Sequence, residues 1–462
     1  MLFDLSGPLG PTISAAPATP LTSINTAWVV IGACLTLLAA VGAWLLSAPE
    51  REDAGTQVLG VTLAALAFFA TGFAFAMGGV GGAQGGLGPI IGLGREWLPL
   101  GEGRGLLGLQ GFFLAGTAYD PGVYALFLFQ AAAFLVAAVV AITSWAGRAP
   151  RLVVVIYSLL FGGLLYPAFA NWAWGGGWLA LLGQTKNLGH GLVDFAGAGV
   201  ISGAAGLAAL GAFLALRPAQ GSEAVAADDD HRLLAGLALF ALGWIGLNAA
   251  STYTMTDTRL AIAAANTLVA LVCAASVGLL YTWFVAGEPD LAIATRAGVA
   301  GLVAVAAGAP FFPAWAAALA GGMAGLIVPF AAYILERILH VRERALLVAA
   351  HGVAGVWGLL AVGIMADGRF GAGWNGIGER EYLGVTGQGV SGVFPAALIK
   401  ADPGQLSAQV IGAVTLLAFA VTTYALVRIL TWAVARRSVA PTTAAAIVSR
   451  EPDETAARAS NE

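Results

Sequence analysis

A chain of 462 residues that is 59% hydrophobic and only 10% charged cannot cover a soluble surface, since soluble domains carry roughly 25% charged residues. Its net charge of -4 comes with no dense basic patch, which excludes a nucleic-acid partner. The few charges lie between long apolar stretches, the pattern of a chain that crosses a bilayer repeatedly.

The first residues carry Asp4 and several prolines but no Lys or Arg. That is a poor signal peptide, so 1–24 is expected to be an extracytoplasmic N-terminal arm. A helical crossing needs about 20 apolar residues. Eleven segments qualify, at 25–47, 56–77, 122–145, 152–172, 192–216, 233–251, 260–286, 291–308, 313–336, 345–365 and 407–434. Cys34 and Cys273 sit inside such runs and read as small packed residues, not as a disulfide or metal pair. The membrane domain is taken as 25–436, and the Ser/Thr/Ala-rich, acidic remainder 437–462 as a disordered cytoplasmic tail.

Basic residues set the orientation. With the N-terminus outside, 14 of the 21 Lys and Arg fall on the inner face and 7 on the outer face. The C-terminus is then inside. Two outer connections, 78–121 and 367–403, are long and Gly-rich. They are either solvent loops or structured caps over an outer vestibule, with the short apolar piece 106–115 packed or re-entrant.

Helix 5 contains Ser202-Gly-Ala-Ala-Gly206 and helix 10 contains His351-Gly-Val-Ala-Gly355. Both read polar-Gly-x-Ala-Gly, and each lies in the fifth helix of a five-helix block. A 5+5 inverted repeat plus one C-terminal helix would make Ser202 and His351 counterparts near the midplane. Small residues also simply let helices pack closely.

Ionisable groups inside a membrane are costly and are functional candidates by default. His351 is one: a neutral imidazole donates at one nitrogen and accepts at the other, or it ties two helices together. Asp194 either caps a helix or places a fixed negative charge near the outer mouth. Trp174 is an interfacial anchor or, with Gly175-Gly-Gly177 beside it, a ring offered to a small cation. Ser251 adds a hydroxyl acceptor at the outer end of helix 6. One aromatic face, one carboxylate and one hydroxyl suit a small hydrogen-bonding cation. There is no P-loop, CxxC or HExxH, so no cofactor, metal or enzymatic activity is expected.

At this point the chain resembles the ammonium transporter/Rhesus family. The matching pieces are Asn25-Thr-Ala-Trp28, Phe129-Gln130, Tyr166-Pro167, Trp174-Gly-Gly-Gly177, Asp194-Phe-Ala-Gly197, Gly243-Trp-Ile-Gly-Leu-Asn-Ala-Ala-Ser251, Ala265-Asn-Thr267 and His351-Gly-Val-Ala-Gly355. The resemblance implies an all-α membrane protein of eleven transmembrane helices in the cell membrane. It implies a homotrimer with one narrow apolar pore per subunit, and ammonium or ammonia as substrate. Trp174 and Ser251 would form the outer ammonium site, supported by Asp194. Lining the pore would be His351, Ser202, Ala133, Phe134, Leu247 and Trp244.

Several family features are replaced. The first pore histidine aligns with Ser202, and the two gate phenylalanines align with Ala133, beside Phe134, and with Leu247. Helix 1 carries Ala43-Trp-Leu-Leu46 in place of Phe-Tyr-Gly-Gly. The regulatory C-terminal motif is not visible after Arg436, and the sequence names no regulatory partner. Two outcomes follow: transport with altered proton coupling, or an ammonium-binding sensor or scaffold with little transport.

Overall fold

The computed structural model describes residues 20–47, 54–78, 97–99, 105–216, 229–341 and 345–448. Most of the expected arm 1–24 and the end of the expected tail lie outside these residues. The chain is predominantly helical. Ten helices among the described residues are long and apolar enough to cross a membrane. They are α1 (Ser23–Leu46), α2 (Ala54–Met77), α3 (Pro121–Arg148), α4 (Arg151–Ala173), α5 (Ala198–Leu216), α6 (Asp230–Ala250), α7 (Arg259–Ala286), α9 (Ala314–Arg337), α10 (Ala345–Met365) and α11 (Pro403–Arg436). The helical backbone of α11 continues to Val448, past the boundary expected at 436.

The segment expected at 291–308 forms a shorter helix, α8 (Leu291–Ala306), of 16 residues. At about 1.5 Å per residue it is shorter than the roughly 30 Å hydrocarbon layer. Every residue from Ala294 to Ala306 is buried. A helix apolar on all sides belongs inside a protein, and one enclosed by its neighbours has no lipid thickness to match.

The expected helix at 192–216 also begins later. Residues 192–197 are not helical, and α5 starts at Ala198. Irregular backbone at this depth is tolerated only where its polar groups are satisfied within protein. Here Phe195 and Ala196 donate N–H bonds to the Ala307 and Ala306 carbonyls at the end of α8. Val193 exchanges both of its backbone bonds with the Gln409 side chain of α11, at 2.9 and 2.7 Å.

Small residues set the helix packing. A Cβ on Gly206 would strike the backbone of Gly352, and one on Gly355 would lie 2.6 Å from the Gly203 Cα. The two polar-Gly-x-Ala-Gly motifs therefore cross each other, each using its two glycines against the glycines of the other. Ser202 and His351 both sit in π-helical turns, Ala198–Gly203 and Ala349–Val353. Such turns interrupt the regular ladder and often mark functional positions. Cys34 is exposed and Cys273 half-buried, both unpaired; they lie toward the outside of the bundle, not in the packed core expected for them.

Both long Gly-rich connections are structured where described. In the first, β1 (Trp97–Pro99) pairs with β2 (Gly105–Gly108). The Leu106 carbonyl accepts from Trp172 Nε1 at 3.0 Å, and Phe112 packs edge-on against Phe75. The piece 106–115 thus folds against α2 and α4 through Leu106 and Phe112 and leaves Leu109 and Phe113 exposed. The second connection carries a short hairpin, β3 (Glu381–Tyr382) with β4 (Val385–Thr386), and a turn at Trp374–Gly376.

Candidate functional site

Trp174 ends α4 on the tight turn Gly175–Gly177. Its Nε1 donates to the backbone carbonyl of Asp194 at 2.6 Å. That bond occupies the indole's polar edge and fixes the ring. The Asp194 carboxylate is buried and turns back onto α5: its Oδ2 accepts from the N–H groups of Gly199 (3.0 Å) and Val200 (2.8 Å). A carboxylate in this position satisfies helix-end donors and complements the positive end of the helix dipole. Asp194 therefore holds both the start of α5 and the Trp174 ring.

Ser251 caps the end of α6. Its hydroxyl donates to the Leu247 carbonyl at 2.8 Å, which leaves its oxygen lone pairs as acceptors. Trp174 and Ser251 both line one cavity of about 260 Å³. Asp194 does not line it. Phe195, Tyr253, Trp374 and Glu379 do, and none of these four was singled out from the sequence. Phe195 was in view within the Asp-Phe-Ala-Gly piece. Trp374 had a signal too: Gly371, Gly373 and Gly376 around it adopt φ of 93°, 86° and 77°, the same glycine framing that drew attention to Trp174.

The matching motifs outside the cavity build its frame. Gln130 Nε2 donates to the Tyr253 hydroxyl at 2.9 Å, and Phe129 packs edge-on to the Tyr253 ring. Asn25 Oδ1 accepts from the Met255 N–H at 3.0 Å. Asn248 Nδ2 bonds Thr267 Oγ1 at 2.8 Å, and Asn266 bonds the Ala309 and Phe312 carbonyls. These buried amides tie the segment after α6 to α1 and α3, α6 itself to α7, and α7 to the segment after α8.

Phe240, Trp244, Leu247 and Ser251 recur at intervals of four, three and four, which places them on one face of α6. Phe240, Trp244 and Leu247 are at most 1% exposed. Trp244 Nε1 donates to the Leu302 carbonyl at 2.7 Å, and the Trp244 ring stacks on Phe240 with centroids 4.9 Å apart. Phe240 in turn meets the His351 ring edge-on at 5.7 Å. His351 Nδ1 lies 3.3 Å from Ser202 Oγ. The face thus leads from the hydroxyl at the cavity to the imidazole at the helix crossing. Phe240 was not foreseen, although its spacing from Trp244 and Leu247 was readable.

Ala133 and Phe134 are buried away from this cavity. Phe134 stacks on Phe68 at 4.5 Å and meets Tyr166 edge-on at 5.0 Å, so it belongs to an aromatic cluster between α2, α3 and α4.

A model described as the Ammonium Transporter Family matches residues 27–438. Ammonium transporter Amt2 of Archaeoglobus fulgidus is 32% identical over 326 residues, covering 68% of this chain and 64% of that protein. An ammonium transporter of Bacillus subtilis is 28% identical over 56% of this chain and 64% of its own length. The match therefore spans less than two thirds of these relatives. Among solved structures, a protein titled Sensor Amt Protein has a TM-score of 0.70 at 21% identity, covering 90% of this chain and 94% of its own. Candida albicans Mep2 has a TM-score of 0.70 at 21% identity, covering 90% and 84%. These two are alike in fold.

Proposed function

This chain belongs to the ammonium transporter family, and we propose that it moves ammonium or ammonia across the cell membrane through a narrow apolar path in each subunit. The observation that carries this is the face of α6 that links Ser251 at the cavity to Phe240 against His351. Ammonium has four N–H donors and a positive charge. In the cavity it would donate to the free lone pairs of Ser251 and lie against the Trp174 ring. The Asp194 carboxylate adds negative potential behind the ring.

Below the cavity the path is apolar. A charged ion there would pay heavily for lost hydration, which favours release of a proton, passage of the neutral amine and separate passage of the proton by way of the midplane hydrogen bonds, so that net charge crosses with each ammonium. His351 and Ser202 offer hydrogen bonds at the midplane. With a single imidazole at this crossing, proton handling falls to one His–Ser pair. The same reading takes α8 as an eleventh crossing and the two crossing motifs as halves of a 5+5 inverted repeat with α11 outside it. It keeps the N-terminus outside, the C-terminus inside, a homotrimer, and no catalytic chemistry.

The test is ammonium-driven current in proteoliposomes of the purified chain. Current that saturates with ammonium supports transport. Ammonium binding that weakens in Trp174→Ala or Asp194→Ala, with no current at all, would establish the sensor or scaffold reading instead. The replacement of a pore histidine by Ser202 is what keeps that second reading in play.

A further inference from the structure

We propose that the outer cavity also binds organic quaternary ammonium cations, which lodge there and block the path without crossing it. This rests on reading the cavity as the place where ammonium is recruited. The first reason is size. The cavity measures about 260 Å³, while one water takes about 30 Å³ in the liquid and ammonium is close to water in size. A single ammonium would leave most of the space to solvent.

The second reason is the lining. Trp174, Phe195, Tyr253 and Trp374 arrive from four separate segments. Several aromatic rings around one space are the recognised means of holding a cation that has no N–H to donate. Trp374 is held in place by its neighbours: its ring lies 5.6 Å from Phe311 and 6.1 Å from Phe195. A ring fixed before binding loses little freedom on binding.

The third reason is charge. Arg259 lines the cavity, but its guanidinium is bound to the Asp257 carboxylate at 2.6 Å and 2.9 Å, so that pair is neutral. Glu379, exposed at the rim, has no ion-pair partner among the described residues. The cavity is left with one uncompensated negative charge. Beneath it lie the buried side chains of Leu247, Trp244 and Phe240, against which a quaternary ammonium would stop.

The experiment is calorimetric titration of the purified full chain with tetramethylammonium chloride, against sodium chloride at matched ionic strength. Saturable binding is expected, weakened about tenfold by Trp374→Ala and less than about threefold by Trp374→Phe, which keeps a ring. Glu379→Gln should weaken it about threefold, by a factor that shrinks at high salt. No saturable binding, or the same affinity in Trp374→Ala, overturns the proposal. If Trp374→Ala does not elute as folded protein, unchanged affinity in Glu379→Gln overturns it. Proteoliposome currents separate the two readings. Tetramethylammonium should carry none and should block the ammonium current. An ammonium current with no tetramethylammonium binding sinks this proposal alone. Binding with no ammonium current sinks the transport reading alone.

Discussion

His351 Nδ1 and Ser202 Oγ stand 3.3 Å apart across the crossing of α5 and α10, each in its own π-helical turn. The pair is buried, so each is the other's polar partner in surroundings where an unsatisfied group is expensive. His351→Ala should lower ammonium current about fivefold, the effect of losing one hydrogen bond of about 1 kcal/mol in the rate-limiting state. Ser202→Ala should lower it less. The double variant should be no worse than His351→Ala, because the two act through one contact. Multiplying effects in a double-mutant cycle would show two independent roles.

Helix contact at the same crossing depends on Gly206 and Gly355. Neither position has room for a methyl group against the facing backbone. Gly355→Ala and Gly206→Ala should each destabilise the protein by about 1–3 kcal/mol, the usual range for overpacking. Thermal unfolding in detergent reads this directly. Gly55→Ala, where a Cβ meets nothing within 4 Å, is the control and should leave the transition in place.

Asp194 can be divided into its two contributions. Asp194→Ala strands two buried N–H groups and should cost about 1–2 kcal/mol of stability. Asp194→Asn keeps an oxygen acceptor and removes the charge. Asn should therefore fold nearly as well as Asp yet bind ammonium more weakly. Equal ammonium affinity in wild type and Asp194→Asn would leave Asp194 with a purely structural part.

Outside the membrane helices, His190 carries a pH dependence. It is fully buried beneath the connection 367–403, edge-on to the Tyr382 ring at 5.2 Å. Its backbone holds Asn375 Nδ2 at 2.8 Å, beside Trp374 at the cavity. Burial pushes the imidazole down to about 4. A lowered histidine value gives stability that is present in full above about 6.5 and is lost as pH falls through about 4. The loss is at most about 3 kcal/mol. The neighbouring Asp402, which accepts from the Tyr382 hydroxyl at 2.8 Å, is shifted upward by burial, so its contribution has the opposite sign. Melting temperatures from pH 8 to pH 4 should fall for the wild type and change less for His190→Gln. Parallel curves would remove His190 as the cause.

Much of the membrane architecture was legible because hydrophobic length is a strong signal. The bounds moved at α8, a buried helix of 16 residues that need not match the bilayer, and at residues 192–197, where Gln409 and the end of α8 replace helical hydrogen bonds. Trp174 and Ser251 were legible as cavity residues because polar or aromatic groups at helix ends stand out. Trp374 and Glu379 were not, because only the folding of a Gly-rich connection carries them to the cavity. Phe240 was hidden for another reason: a phenylalanine in an apolar helix gives no signal until the imidazole beside it is placed.

The central claim is that the path runs along one face of α6 from the outer cavity to His351. Leu247 sits on that face between Ser251 and Trp244, and a larger ring there should plug the path while sparing the cavity above. The measurement is ammonium-driven current in proteoliposomes for wild type and Leu247→Trp, with ammonium binding to the same preparations. The account expects Leu247→Trp to bind ammonium normally and to carry almost no current. Wild-type current in a Leu247→Trp protein that still binds ammonium would contradict it.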